Sequence, residues 1–564
     1  MKQLIECVPN FSEGNDQRVI EQIAAEIREI EGVSILNIDP GKTTNRTVIT
    51  FVGEPKAVSE AAFRAIKKAA ELIDMRKHKG AHPRFGATDV CPFIPVSGIT
   101  MQETVEHARA LARRVGQELN IPVYMYERAA TSPERANLAN CRAGEYEALG
   151  ERLKSTDWRP DFGPARLDEW TARTGATAIG ARDFLVAYNI NLNTTSTRRA
   201  NAVAFDVRER GRAMIDPVTG KKVTDERGKT IMVPGTLKAV KAIGWYIEEH
   251  GVAQISMNLT DISVTPVHVA FDEVCRKATE RGLRVTGSEL VGLIPLRAML
   301  DAGRYFLRAQ QRSTGVPDSE LIKIAAKSMG LGELSPFNPR ERVIEYILED
   351  AETRGKKRLV DLSLAALVAE TSSESPAPGG GSIAAAVGAL GAALAGMVAN
   401  LSSHKRGWDE RWEEFSDHAE RAKAFQEELL ALVDEDADAF NNLMAAYALP
   451  AKNDAEKTAR HQAIQDATRH AAEVPFRTMT LCRDSMEVIR AMAETGNPNS
   501  VTDAGVGALA ARAGVLGAFL NVQVNAAGLD DRSLAGELTR RGEEIATRAC
   551  LQETEILAIV RGRL

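Results

Sequence analysis

A change of hydrophobic period divides this chain of 564 residues. Up to about residue 309, short extended runs alternate with longer runs of helical period; beyond residue 357 only the helical period remains. One repeating architecture is thereby excluded. The pattern predicts an α/β region of two similar sandwich lobes followed by an all-α helical-bundle domain. The length points the same way, since a single hydrophobic core stops growing well below this size and the length prior is roughly three to four domains.

In the first 180 residues, stretches 4–8, 33–38, 47–52, 89–96 and 123–126 read as extended and 17–30, 55–73 and 102–119 as helical, with glycines marking the joints. Residues 183–309 repeat the order loosely: 184–192, 252–257 and 284–288 extended, 267–281 and 296–309 helical. Two such lobes facing one another make a cleft. The charged, turn-rich stretch 216–230 reads as a solvated hairpin. The expected boundaries are lobes at 1–180 and 181–328, a connecting segment with one helix at 329–356, and the helical domain at 357–564.

Lys and Arg number 71 against 77 Asp and Glu, so the chain carries no electrostatic footprint for nucleic acid, and an anionic ligand needs a local basic patch. The six cysteines form no Cys-x-x-Cys pair, which argues against zinc ribbons and disulfide frameworks. They read as reduced thiols, and the N-terminus has no secretory pattern, so a cytoplasmic protein is expected. Residues 383–399 are wholly apolar or glycine but fall short of the roughly 20 residues a bilayer requires. Their alanine and glycine content suggests close helix packing in a bundle, with no membrane span.

Acid–base chemistry is concentrated in residues 73–96, where His82 lies between a glycine turn and a proline-rich strand. An imidazole near its ordinary pKa both takes and returns a proton at neutral pH; the alternative is a packed or surface histidine. His78, four residues earlier, suggests a metal pair, but Gly80 and Pro83 break any helix and no third ligand is evident, so no metal is expected. Arg84 meets either a substrate carboxylate or a neighbouring acid. Asp39, before Pro40, either orients the histidine, stabilises positive charge, or caps a turn. Asn189, Asn191 and Asn193 fall on one face of a strand and suit either the mixed donor and acceptor edge of a pterin or a solvent-facing edge strand.

In the last third, 425–443 carries an apolar seam at Phe425, Leu429, Val433, Phe440 and Leu443. Asp436 falls inside it, where desolvation and neighbouring carboxylates are expected to raise its pKa and keep a proton available. Asp434, Glu435 and Asp438 fit a solvated face. Pro378-Gly379-Gly380-Gly381-Ser382 opens the following apolar helix with amides free to face an anion or pterin, without the ending of a nucleotide P-loop.

Residues 5–14 (Ile-Glu-Cys-Val-Pro-Asn-Phe-Ser-Glu-Gly), Asp39, Asn45-Arg46-Thr47, Phe51-Val52-Gly53 and the 73–96 stretch closely resemble the glutamate formimidoyltransferase signature. From about residue 357 the chain resembles the cyclodeaminase half of the bifunctional formimidoyltransferase-cyclodeaminase family, through Ser375 to Ser382 and Gly496-Asn497. The resemblance implies His82 as catalytic base and Asp436 as proton donor. It implies folate contacts in 161–184, which is slightly longer here, at Gly163, Pro164 and Gly175. Further folate contacts are implied at Gly379, Gly380, Ser382, Asn497 and Asp503, and near Asn521 and Asn525. Lys405 and Arg406 are either folate-carboxylate contacts or surface charges. The implied activity moves a formimido group from N-formimidoylglutamate to tetrahydrofolate, the co-substrate, in polyglutamylated form. It then cyclises the product with loss of ammonia, in histidine degradation, by a homo-oligomer. Rival readings are a formyl-transferring or methenyltetrahydrofolate cyclohydrolase variant, and a folate-binding scaffold with an inactive third domain.

Overall fold

The computed structural model describes residues 3–41, 45–80, 83–248, 250–352 and 358–564. They form two compact units, one of residues 1–298 with 329–352 and one of residues 299–328 with 353–564.

The first unit carries two main sheets. Sheet 1 has seven strands: β1 (Leu4–Cys7), β2 (Asn10–Phe11), β3 (Val33–Gly41), β4 (Arg46–Gly53), β5 (Thr88–Ser97), β6 (Val123–Glu127) and β7 (Thr177–Ala181). β1 and β2 occupy one line between β4 and β5, interrupted at Pro9, which has no N–H for a ladder. β7 runs parallel between β5 and β6. Three amphipathic helices, α1 (Gln17–Arg28), α2 (Pro55–Leu72) and α3 (Met101–Glu118), bury Ile23, Ala65 and Leu111 against Ile5, Phe51 and Phe93 on one face. On the other face, Tyr124 and Tyr126 pack with Phe85 and Leu149.

Sheet 2 is antiparallel, in the order β11 (Val240–Ile247), β12 (Val252–Leu259), β8 (Val186–Leu192), β13 (Val285–Val291). Helices α4 (Thr197–Val207) and α5 (Val267–Glu280) pack against its strands. β11 and α4 are absent from the sequence reading, although Val240, Ala242 and Gly244 alternate inward against Lys241, Ile243 and Trp245. Between α4 and β11, the short strands β9 (Arg212–Ala213) and β10 (Met232–Val233) pair, and bridges at Ile215–Lys222 and Thr224–Thr230 extend them into the exposed hairpin read from the sequence.

Residues 329–352, expected to be a connecting segment, close back onto sheet 2. Ser288 donates its N–H to Gly330 O (3.0 Å) and its hydroxyl to Met329 O (2.6 Å), and Val343 bridges Ile294. Helix α6 (Ile344–Glu352) ends this return.

The long helices of the second unit are α7 (Gly380–Ser403), α8 (Trp412–Tyr447), α9 (Asp454–Thr495), α10 (Val501–Ala527) and α11 (Arg532–Arg563). At 24 residues α7 is longer than its apolar run, and α7 and the 498–527 stretch are each long and apolar enough to cross a membrane. Length therefore does not decide the reading of α7; its burial against α8, α9 and α10 does. Its glycines set the close approach. A methyl at Gly388 would lie 2.3 Å from Cys482 Sγ, and one at Gly391 would lie 2.9 Å from Gly507 O. α9 contains Pro475, which cannot donate to Ala471 O four residues back; the Asn525 side chain donates there instead (2.6 Å).

Candidate active sites

His82 lies outside the described residues, but the segments that flank it are held from several directions. Asn45, at φ 48°, accepts the Gly14 N–H on Oδ1 (3.0 Å) and donates Nδ2 to Lys79 O (2.9 Å). His78 Nε2 meets Asn45 O at 2.9 Å, and its Nδ1 accepts from Arg84 Nε at 3.3 Å, which selects the Nε2–H tautomer. Ser12 Oγ donates to Gly86 O (2.7 Å). Thus the separate stretches 12–14, 45–47, 78–80 and 83–86 of the signature meet in space.

The backbone after His82 is clamped. Asp89, 1% exposed on β5, accepts Phe85 N–H on Oδ1 (3.1 Å) and Arg142 Nη1 on Oδ2 (2.7 Å), and the same Arg142 nitrogen donates to Pro83 O (3.3 Å). Burial pushes the Asp89 carboxyl up to about 6, against the opposing pull of Arg142 and the Phe85 N–H. Tyr146 N–H donates to Arg84 O (2.9 Å). Gly86 and Gly175 face each other so closely that a methyl on Gly175 would lie 2.3 Å from Phe85 O, and Gly175 itself holds φ 70°. Gly175 is therefore a packing position for this loop. Asp89 and Arg142 are absent from the sequence reading; the signal for Asp89 is a charge at the head of an otherwise apolar strand.

Arg84 does not present a free guanidinium. It donates to Glu147 at 2.8 and 2.7 Å and to Glu145 at 3.0 Å, so the neighbouring-acid reading describes this geometry. Asp39 is exposed on β3 opposite Val48, within electrostatic reach of Arg46. Gly163 holds φ 81° against Ile121 O, 2.2 Å from where a methyl would sit. Pro164 lines a cavity of about 520 Å³ with Lys67, Arg166, Asp168 and Trp170.

The asparagine row is not on an edge. β8 is paired on both sides, and Asn189 and Asn191 are buried. Asn191 accepts Gln254 Nε2 (2.8 Å) and donates to Glu333 Oε2 (2.7 Å), so its carboxamide is engaged within the fold. Asn193 accepts the Arg284 N–H (2.7 Å). Asn189 lies between Ser256 and Glu289 in register.

In the helical unit, Asp436 meets the start of α7. Ser382 Oγ donates to Asp436 Oδ2 at 2.9 Å, and Gly381 lies so close that a methyl there would sit 2.1 Å from Oδ1. Gly379 is the N-cap residue, and Gly380 lies beside the Asn521 carboxamide. Burial holds the half-buried Asp436 carboxyl above its ordinary range, opposed by hydrogen bonds from Ser382. Neighbouring carboxylates, expected to contribute, do not; desolvation is the cause. The seam also differs: Leu432, Ala437 and Ala439 are buried, whereas Phe440 is 39% exposed. Asp434 caps Leu359 N–H (2.6 Å) and Glu435 pairs with Arg477 (2.7 Å). Asp434 and Asp438 line a cavity of about 590 Å³ with Arg358 and Ser375, so this face is not simply solvated.

Asn497, Lys405 and Arg406 lie at the far end of α7, about 30 Å along its axis. Asn497 N–H donates to Ser402 Oγ (2.8 Å), and Asp503 lies in the first turn of α10. Lys405 Nζ stands 4.0 Å over the Trp408 ring, and Arg406 is exposed. The helices of this chain do not bring Asn497, Lys405 and Arg406 to Asp436. Asn525 serves Ala471 O. Among the described residues no three His, Cys, Asp or Glu side chains converge as a metal set would.

An α/β unit that braces a histidine-bearing loop, and a helical bundle with a half-buried carboxyl of raised pKa at a helix start, define a two-site acid–base enzyme. Residues 4–182 match the family described as formiminotransferase domain, N-terminal subdomain, 187–349 the formiminotransferase domain, and 363–544 formiminotransferase-cyclodeaminase. The chain is 42% identical over 564 residues to formimidoyltransferase-cyclodeaminase of Rattus norvegicus, covering 100% of both. It is 40% identical to glutamate formimidoyltransferase of Streptococcus pyogenes over 55% of this chain and 95% of that one. It is 38% identical to methenyltetrahydrofolate cyclohydrolase of Methylorubrum extorquens over 34% of this chain and 92% of that one. The chain belongs to the formimidoyltransferase-cyclodeaminase family.

Proposed function

We propose that the α/β unit transfers the formimido group of N-formimidoyl-L-glutamate to N5 of tetrahydrofolate. The helical unit then cyclises 5-formimidoyltetrahydrofolate to 5,10-methenyltetrahydrofolate and ammonia. In the first step N5 attacks the formimido carbon and loses a proton, while the departing glutamate nitrogen gains one; His82 serves both transfers. Asp39 balances positive charge on the amidine carbon. In the second step N10 closes the ring, and the amino group leaves once protonated. The observation that carries this reading is Asp436: a half-buried carboxyl, raised above its ordinary range by burial and fixed by Ser382 at the start of α7, is positioned as the general acid for that departure.

The reaction suits a role in histidine degradation; a cytoplasmic location is part of the same proposal, and the six free cysteines are consistent with it. Exposed apolar side chains on the bundle, among them Leu390, Leu520 and Val524, support a homo-oligomer. An assembly could also supply the Asn497 end of one bundle to the Asp436 end of another. Polyglutamylated tetrahydrofolate is the natural co-substrate, with Lys405 and Arg406 available to its tail.

One assay with N-formimidoylglutamate and tetrahydrofolate, following glutamate, ammonia and methenyl product together, tests the reading. His82→Ala should stop glutamate release, and Asp436→Asn should leave it intact while 5-formimidoyltetrahydrofolate accumulates; normal rates in both variants would refute it. The likeness of the helical unit to a methenyltetrahydrofolate cyclohydrolase favours one second reading, hydrolysis of the methenyl product. Under it, methenyltetrahydrofolate supplied alone would be consumed.

A further inference from the structure

Glu6 is a buried carboxyl that accepts no hydrogen bond from any described residue. It lies on β1 opposite Val52 and Ile94, 6% exposed, on the face of sheet 1 turned away from α1 to α3. No described residue donates to it; Arg182 attracts it and Glu345 of α6 repels it. Tyr126 stands on the same face by register, through Gly180 and Pro92, and is 3% exposed. Its hydroxyl has no hydrogen-bond partner among the described residues, and Arg182 is again its neighbouring cation. Arg182 is anchored by its N–H to Phe93 O (3.0 Å) and by Nη1 to Asp183 O (2.9 Å). Neither group stands among the fully buried unpartnered atoms, so the Glu6 and Tyr126 oxygens keep a narrow edge to solvent, from which a ligand can reach and complete them.

The chemistry of the cluster selects the ligand. A carboxylate repels the carboxylates of formimidoylglutamate and of the folate tail. It matches two adjacent coplanar N–H donors, which the pterin ring offers at its 2-amino group and N3. Resting on the transferase reading, we propose that Glu6 holds the pterin ring of tetrahydrofolate by accepting from the 2-amino group and N3–H, with the Tyr126 hydroxyl donating to the 4-oxo oxygen. Burial pushes the Glu6 carboxyl up to about 7, so ligation by two donors should also release a proton.

The test uses the full-length enzyme and the KM for folate in glutamate release, which reports the transferase site alone. Tetrahydrofolate is compared with its 2-desamino-2-methyl analogue in wild type and Glu6→Gln. The wild-type KM should rise about tenfold or more with the analogue, and the Glu6→Gln KM should rise similarly with tetrahydrofolate. The two changes together should cost no more than either alone, and the KM for formimidoylglutamate should stay constant. Equal wild-type KM values for the two folates, or independent losses in the variant, would overturn the assignment. An enzyme that releases no glutamate would refute the transferase reading instead. Calorimetric binding of the two folates, with proton release read in two buffers, would then still decide the pairing.

Discussion

Replacing Gly381 by alanine tests the second site at a single atom. The added methyl would lie 2.1 Å from Oδ1 and 2.6 Å from Cγ of Asp436, where carbon contacts need about 3.5 Å. The carboxyl must therefore retreat by about 1 Å or more, which breaks its 2.9 Å bond from Ser382. Misplacing a reacting group by that much costs about a hundredfold, or about 2.7 kcal/mol of barrier. The backbone itself accepts alanine, because Gly381 lies within α7 and does not need positive φ. Stability should consequently change by no more than about 1 kcal/mol, the difference in helix propensity. In the coupled assay, Gly381→Ala should release glutamate at the wild-type rate and ammonia about a hundredfold more slowly, with 5-formimidoyltetrahydrofolate accumulating. Wild-type ammonia release from the folded variant would refute the placement of Asp436 as acid.

Asp89→Asn removes the charge that joins Arg142 to the loop after His82, so kcat for glutamate release should fall about tenfold with KM nearly unchanged. Protonation of Asp89 near pH 6 should likewise give the wild-type transferase an acid limb that the variant lacks; a persisting limb would point to another group. Glu6 carries a stability cost. Its folded pKa of about 7 lies above the ordinary 4.5, so stability is present below pH 4.5 and lost as pH rises through 7, by about 3 kcal/mol. Glu6→Gln should flatten that part of the stability profile in denaturant melts, and an unchanged slope would count against a buried, unpartnered carboxyl.

Local patterns made much of this architecture legible. Alternation found most strands of sheet 1, and loss of alternation after residue 357 found the bundle. Asp436 was readable because a helix repeats every 3.6 residues, although the large Phe440 suggested a seam that small alanines in fact carry. Long-range pairing was not readable. Asn191 looks idle in a strand until Glu333, 142 residues later, arrives beside it, and Arg84 looks available until Glu145 and Glu147 fold over it. Asn497 and Asp436 share a family resemblance but meet opposite ends of α7, at Ser402 and Ser382, a separation that spacing along the chain does not encode.

The proline within α9 ties two positions 50 residues apart into one unit of inheritance. Pro475 leaves the Ala471 carbonyl short of a donor, and Asn525 supplies it from another helix. A lineage that exchanges the proline for a residue with an N–H releases the asparagine from that duty, whereas one that loses the asparagine first leaves a buried carbonyl bare. Drift at the two sites should therefore be ordered, with the proline departing before the asparagine, and sequences holding proline without a side-chain donor at the second position should be scarce.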